Sequence, residues 1–235
     1  MLSTEELLDG LTDPQRQAVC HVDGPLLIIA GAGSGKTRVL TRRVAYLMSL
    51  GIPAGAILAI TFTNKAAGEM KERVGHLLGK PIRDFGRLEA YQPTICTFHS
   101  LCLRVLRHYA DRLGFPASFS IYDTADQQKL MKDQLKKLDF SSTNFTPSTV
   151  LGTISNAKNK LITAEQFAAG ANDFYAKNVA KLYTAYQAAL EAANAFDFDD
   201  LLMKTVHALR DHKDVLAELQ ERYAYILIDE YQDTN

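Results

Sequence analysis

The sequence predicts an α/β protein in which a parallel sheet is covered by helices and interrupted by an inserted all-helical subdomain. Three observations carry this prediction. The apolar run at residues 26–29 passes straight into a glycine-rich turn and then Lys36 and Thr37, the way a buried parallel strand hands over to a helix through a phosphate loop. Strand-like and helix-like segments alternate three times before residue 113, and such alternation builds a parallel sheet with covering helices. Between residues 123 and 195 the strand signal almost vanishes, and it returns only in the run YILI at residues 225–228. The predicted division is residues 1–113 for the first part of the nucleotide-binding domain, 114–196 for the helical insertion and 197–235 for the return to the sheet.

The elements follow in order. Thr12 is placed to cap a first helix over about residues 13–22, with Pro14 in its first turn and Gln15 on its surface. After the glycine-rich turn, Leu40, Val44, Leu47 and Met48 recur at three-to-four spacing, with Arg42 and Arg43 on the other side, so this helix packs on a sheet. Gly51 and Pro53 end it. A second buried strand at residues 57–62 leads into Thr63 and Asn64, a capping pair for a helix carrying Lys65, Met70, Val74 and Leu77. Residues 79–93 break the pattern and read as a long surface loop without an assigned role. A third strand at residues 94–98 precedes a helix that buries Leu101, Cys102, Val105, Leu106 and Tyr109.

In the insertion, helices are capped by Asp123, by Thr146 with Pro147, by Thr163, and by Asn172 or Asp173. The longest places Val179, Leu182, Tyr183, Tyr186, Leu190 and Ala193 on one stripe, as a bundle core does. The lysines Lys129, Lys132, Lys136, Lys137, Lys158 and Lys160 read more simply as a solvated face than as phosphate contacts. The segment FDFDD at residues 196–200 opens another helix with carboxylates suited to its dipole. An amphipathic helix with Val215, Leu216 and Leu219 then leads to the fourth buried strand.

Composition bounds the function. With 235 residues the chain can bury a substantial core, as one large domain or two modest ones. No apolar run approaches the roughly 20 residues of a membrane helix, and the N-terminus MLSTEELLDG is acidic where a signal peptide is basic and then apolar. No membrane partner is expected, and a cytoplasmic location is the default. Cys20, Cys96 and Cys102 show no C-x-x-C pairing and sit among apolar neighbours, so buried reduced thiols are expected. The net charge of −1 neither supports nor excludes DNA, because a local basic groove suffices to grip a strand.

Two stretches carry the chemistry. Gly31, Gly33 and Gly35 let the backbone curl so that successive N–H groups point inward, while the following helix presents its positive end. Lys36 is expected to reach the outer phosphates of a nucleoside triphosphate and Thr37 to hold Mg²⁺. Ala30 stands where the pattern G-x-x-x-x-G-K-[ST] has glycine. At the other end, Asp229 and Glu230 close an apolar strand: Asp229 is expected to hold Mg²⁺, generally through water, and Glu230 to orient and deprotonate the attacking water. Either motif alone could be an ordinary turn or a capping acidic pair. Both in one chain, in this order, point to nucleotide hydrolysis with Lys36, Asp229 and Glu230 as the catalytic groups.

The strings LTDPQRQAV, AGAGSGKTRVL, ILAITFTNKAAGEM, TFHS, LGTISNAKN, FDFDDLL and ILIDEYQDTN follow one another in this chain. In that order they resemble the UvrD/PcrA/Rep group of superfamily 1 DNA helicases, and within it the PcrA-like enzymes, over essentially the whole length. The resemblance implies a P-loop NTPase of RecA-like fold acting as an ATP-driven 3′–5′ DNA helicase or translocase, with ATP and Mg²⁺ as ligands. It implies that Gln15 hydrogen-bonds adenine and Arg38 packs on the base, both chemically sensible for an amide and a guanidinium. The phosphates are then cradled by Ala30, Gly31, Ala32, Gly33, Ser34, Gly35, Lys36 and Thr37, with Ala30 an ordinary occupant of its position in the family.

Phe62, Thr63 and Asn64, together with Thr97, Phe98 and His99, match motifs that meet single-stranded DNA. Read alone, Phe62, Phe98 and His99 suggest core packing, and only the resemblance turns them into stacking platforms. FDFDD also matches a motif near the DNA path. The implied partners are single-stranded DNA and duplex junctions, together with a second RecA-like half of the same polypeptide, in a bacterial cytoplasm.

On the family pattern the first motor domain is incomplete here. The strand after the two carboxylates lies between the phosphate-loop strand and the carboxylate strand, so its absence leaves edges unpaired. A rival reading is a free-standing truncated module that binds nucleotide and single-stranded DNA without turnover. A small-molecule kinase using the same loop would leave FTNK and TFHS unexplained.

Overall fold

The computed structural model describes residues 2–84, 86–140 and 144–234. In chain order, α1 (Thr4–Leu8), α2 (Asp13–Cys20), α3 (Lys36–Ser49), β1 (Ile57–Thr61), α4 (Asn64–Leu78), β2 (Thr94–Thr97) and α5 (Phe98–His108) come first. Next are α6 (Ala110–Leu113), β3 (Ser120–Ile121), α7 (Thr124–Lys137), α8 (Pro147–Asn159), α9 (Ala164–Gly170) and α10 (Phe174–Ala192). Then β4 (Ala195–Phe196), α11 (Phe198–Asp211), α12 (Lys213–Arg222) and β5 (Tyr225–Ile228) complete the order. They form two compact units, one from the residues up to Arg104 and from Asp214 onward, the other from Val105–Lys213.

The first unit is built on a parallel sheet of order β2-β1-β5, with Ala59 opposite Ile95 on one side and Leu227 on the other. The central strand β1 is buried along its whole length, which is why its sequence ILAIT is a continuous apolar run and not an alternating one. One face packs Ile57, Ala59 and Ile95 against Val44 and Leu47 of α3 and Met70 and Val74 of α4. The other packs Leu58, Ile60 and Cys96 against Tyr223. Burial pushes the Cys96 thiol up to about 11, so it stays protonated and inert at neutral pH.

The expected strand at residues 26–29 does not form. Leu26, Leu27, Ile28 and Ile29 lie outside any strand and are 41%, 68%, 37% and 89% exposed. A strand exists only when a neighbour completes its hydrogen-bond ladder, and no strand among the described residues pairs with this run. The fourth strand is likewise less buried than its apolar sequence suggests. At the sheet edge, Leu227 of β5 is buried while Ile226 is 59% exposed.

The irregular segment after α4 folds against the N-terminal end of the sheet, where a Cβ on Gly55 would lie 2.6 Å from the Ala90 carbonyl oxygen. It is held by Asp84, which accepts from Lys71 at 2.6 Å and from Arg104 at 2.8 Å.

The second unit is helical. Met131, Leu135, Val150, Ile154, Val179, Leu182, Tyr183, Tyr186 and Leu190 form its core, so the stripe on α10 packs as a bundle stripe should, except for exposed Ala193 at the C-cap. Asp173, and not Asn172, caps α10 by accepting from the Ala176 N–H. A two-strand parallel pair, β3 with β4, fastens the ends of the bundle.

Candidate nucleotide-binding site

The site begins with backbone geometry. Gly33 and Gly35 take φ of 75° and 87°, a left-handed conformation that costs a side-chain-bearing residue about 1 kcal/mol or more. Gly35 is the N-cap of α3 and offers no side chain to its first turn, so the helix's leading N–H groups stay open to an anion. Lys36 folds its Nζ back onto the Ala30 and Gly31 carbonyl oxygens at 3.0 and 3.3 Å. The Ser34 hydroxyl donates to the Gly31 carbonyl at 2.6 Å. Ala30, Gly31, Ala32, Gly33 and Ser34 are exposed, as a ligand-accepting loop requires.

The second half of the site arrives through the sheet. The Asp229 N–H donates to the Ile60 carbonyl at 2.9 Å, extending the β1–β5 ladder by one residue. This places its carboxylate against the start of α3, where the Thr37 hydroxyl donates to Asp229 Oδ2 at 3.3 Å across 192 residues of sequence. Glu230 follows in the left-handed region at φ 52°, an uncommon conformation for a long side chain, and its exposed carboxylate accepts from Gln232 Nε2 at 2.5 Å.

Gln15 reaches the loop from α2, donating from Nε2 to the Ser34 carbonyl at 2.8 Å. The Arg38 guanidinium extends past the loop toward Gly10, whose Cβ, if present, would meet Nη2 at 3.1 Å.

The residues matched to DNA motifs lie along the same carboxyl edge. Phe62 follows β1 and Phe98 follows β2, and their rings meet edge to face with centroids 5.6 Å apart. Phe62 is 38% exposed, while Phe98 and His99 are half-buried. The two threonines have local work: Thr63 Oγ1 caps α4 by accepting from the Ala66 N–H at 3.1 Å, and Thr97 Oγ1 accepts from the Ser100 N–H at 3.3 Å. Asn64 is exposed in the first turn of α4.

The family model for the UvrD/REP helicase N-terminal domain matches residues 11–235. The chain belongs to this family. The ATP-dependent DNA helicase PcrA of Bacillus subtilis is 48% identical over 233 residues, covering 99% of this chain and 30% of that protein. PcrA of Leuconostoc citreum is 44% identical over 235 residues, 100% of this chain and 30% of its own length. The ATP-dependent DNA helicase UvrD1 of Mycobacterium tuberculosis is 47% identical over 236 residues, again 30% of its length. This UvrD/REP chain therefore spans about 30% of the length of these relatives. No helix among the described residues is long and apolar enough to cross a membrane.

Local sequence patterns left several polar anchors of the UvrD/REP chain unseen. Lys158, read as part of a solvated face, is 1% exposed and donates to Asp197 Oδ2 at 2.7 Å and pairs with Asp200 Oδ1 at 2.9 Å. The Tyr186 hydroxyl also donates to Asp197 Oδ2, at 3.1 Å. Two carboxylates of FDFDD are thus buried partners of a buried cation. Arg42 and Arg43 are anchors too: Arg42 donates to the Leu7 carbonyl at 2.5 Å and the Asp9 carbonyl at 2.8 Å, and Arg43 to the Ala18 and His21 carbonyls. Only a cation beside a buried pattern hints at such roles, and that hint does not name the partner.

Proposed function

We propose that this chain binds Mg-ATP in the loop at residues 30–37 and forms part of the first, RecA-like motor domain of a 3′–5′ DNA helicase or translocase. The observation that carries the reading is the Thr37 hydroxyl lying 3.3 Å from the Asp229 carboxylate. Two hard oxygens brought together from distant parts of the chain have the donor chemistry that would suit Mg²⁺, Thr37 through its hydroxyl and Asp229 generally through a water. Thr37 and Asp229 would hold the cation, and when bound it supplies charge neutralisation on the phosphate oxygens.

The remaining groups have separable roles. Lys36 and the N–H groups of the loop and of α3 hold the phosphates and stabilise charge developing on them. Glu230, exposed beyond the strand end, orients a water and takes its proton. Gln15 and Arg38 receive the adenine, and Phe62 with Phe98 offers aromatic faces to the bases of single-stranded DNA, with Thr63, Asn64, Thr97 and His99 flanking them. Residues 1–113 and 197–235 are the nucleotide-binding domain in this reading, and 114–196 its helical insertion. A further strand pairing between residues 26–29 and β5 completes the sheet, and a second RecA-like half supplies the opposite wall of the ATP cleft. Duplex junctions are the substrate of the whole protein, in the cytoplasm of a bacterium.

The test is ATP hydrolysis by the chain with and without single-stranded DNA, beside Lys36→Ala, with nucleotide binding measured separately. Binding lost in Lys36→Ala supports the site. Wild-type chain that folds but binds no nucleotide removes the reading. Binding without DNA-stimulated turnover supports the need for the second half and fits the module without turnover.

A further inference from the structure

We infer that Gln15 is a positioning residue for the phosphate loop, setting the direction in which the Gly35 N–H points, and does not act through the base alone. The inference rests on the phosphate-loop reading above. Both ends of the Gln15 amide are engaged with main chain. Its Oε1 accepts from the Thr12 N–H at 3.0 Å, and its Nε2 donates to the Ser34 carbonyl at 2.8 Å. An N–H on one side and a carbonyl on the other fix which way the amide faces.

The Ser34 carbonyl and the Gly35 N–H belong to one planar, trans peptide unit and point in opposite directions. Drawing that carbonyl toward Gln15 therefore aims the Gly35 N–H away from α2. The contact is close enough that a Cβ on Gly35 would lie 3.0 Å from Gln15 Nε2, and Gly35 itself holds a φ of 87° that the loop must keep. A loop whose donor is already aimed binds an anion without first being ordered. The amide keeps one N–H and one lone pair for a base, so the two roles coexist.

A base-free ligand separates them. Inorganic tripolyphosphate with Mg²⁺ is titrated calorimetrically into the wild-type chain, Gln15→Glu and Gln15→Met, with ATP in parallel. The Glu variant keeps the oxygen that caps α2 but has no N–H, whereas the Met variant lacks both and carries no charge. Both are expected to lose about 3- to 10-fold in tripolyphosphate affinity, the effect of one neutral hydrogen bond, with the Glu variant melting at the wild-type temperature.

Loss in the Glu variant alone means charge repulsion, and loss in the Met variant alone means only the cap mattered. Either result overturns the inference, as does a loss confined to ATP. Wild-type chain that binds ATP but not tripolyphosphate lacks a pre-set loop and also overturns it; binding neither removes the phosphate-loop reading itself. If a variant does not fold, the wild type decides: an NMR coupling across the hydrogen bond from Gln15 Nε2 to the Ser34 carbonyl carbon is expected, and its absence refutes the assignment.

Discussion

Glu230 sits in a left-handed backbone conformation one residue past a buried carboxylate, and strain of this kind collects where a side chain must be aimed. The conformation turns the chain sharply after Asp229, so consecutive carboxylates need not follow the alternation of a strand. Asp229 thereby stays against Thr37 while Glu230 opens to solvent. Replacing Glu230 by Gln keeps the shape and removes the proposed base. In the intact protein, steady-state assays should show kcat falling by about 10²- to 10⁴-fold, with ATP affinity measured by equilibrium binding unchanged. An unchanged kcat would remove the base assignment. Thr37→Val should instead weaken Mg-ATP binding and leave Mg²⁺-free nucleotide binding close to wild type, a contrast that calorimetry with and without the metal resolves.

Helices α8, α10 and α11 are joined by a polar core as well as an apolar one. Lys158 on α8 meets Asp197 and Asp200 at the start of α11, and Tyr186 on α10 donates into the same cluster. Removing one member of a buried ionic network leaves the others charged and unpaired, at about 3–5 kcal/mol. Lys158→Met should lower the urea midpoint of the helical unit accordingly, and adding Asp197→Asn with Asp200→Asn should restore much of it. No recovery would mean that packing, not charge, explains the loss.

The same cluster predicts an alkaline limit. Burial, followed by the nearby Asp197 charge and hydrogen bond, raises the Tyr186 hydroxyl well above its ordinary value of 10.0. The folded state then keeps the phenol neutral where the unfolded chain ionises. This stabilisation is complete below about pH 10 and declines as pH rises beyond it. Thermal melts from pH 8 to 11 should fall more steeply for wild type than for Tyr186→Phe.

At the scale of the molecule, the unusual feature is an exposed apolar run outside any strand. Residues 26–29 expose four large aliphatic side chains immediately before the glycine-rich loop, and unpaired apolar backbone of this kind recruits other strands. Leu27→Thr with Ile29→Thr should reduce concentration-dependent light scattering of the chain, with little change in melting temperature, since both side chains contact mostly water. A large fall in melting temperature would show that the run is covered in solution.

Much of this protein was legible in the residues themselves. Capping at Thr12, Thr63, Asp123, Thr146 and Thr163, the continuous apolar strand ILAIT and the stripe on α10 depend on neighbours within a turn or a pleat, so their patterns are local and readable. The glycines of the loop at residues 31–35 and the carboxylates after YILI belong to the same kind, because each motif states its own backbone requirement. What the tertiary structure decided were pairings between distant residues. Thr37 meets Asp229 from 192 positions away, Lys158 is buried because Asp197 and Asp200 reach it, and residues 26–29 form no strand although their composition asks for one. Periodicity specifies which side of an element is apolar, but a ladder or an ion pair exists only when a second segment supplies the complementary groups.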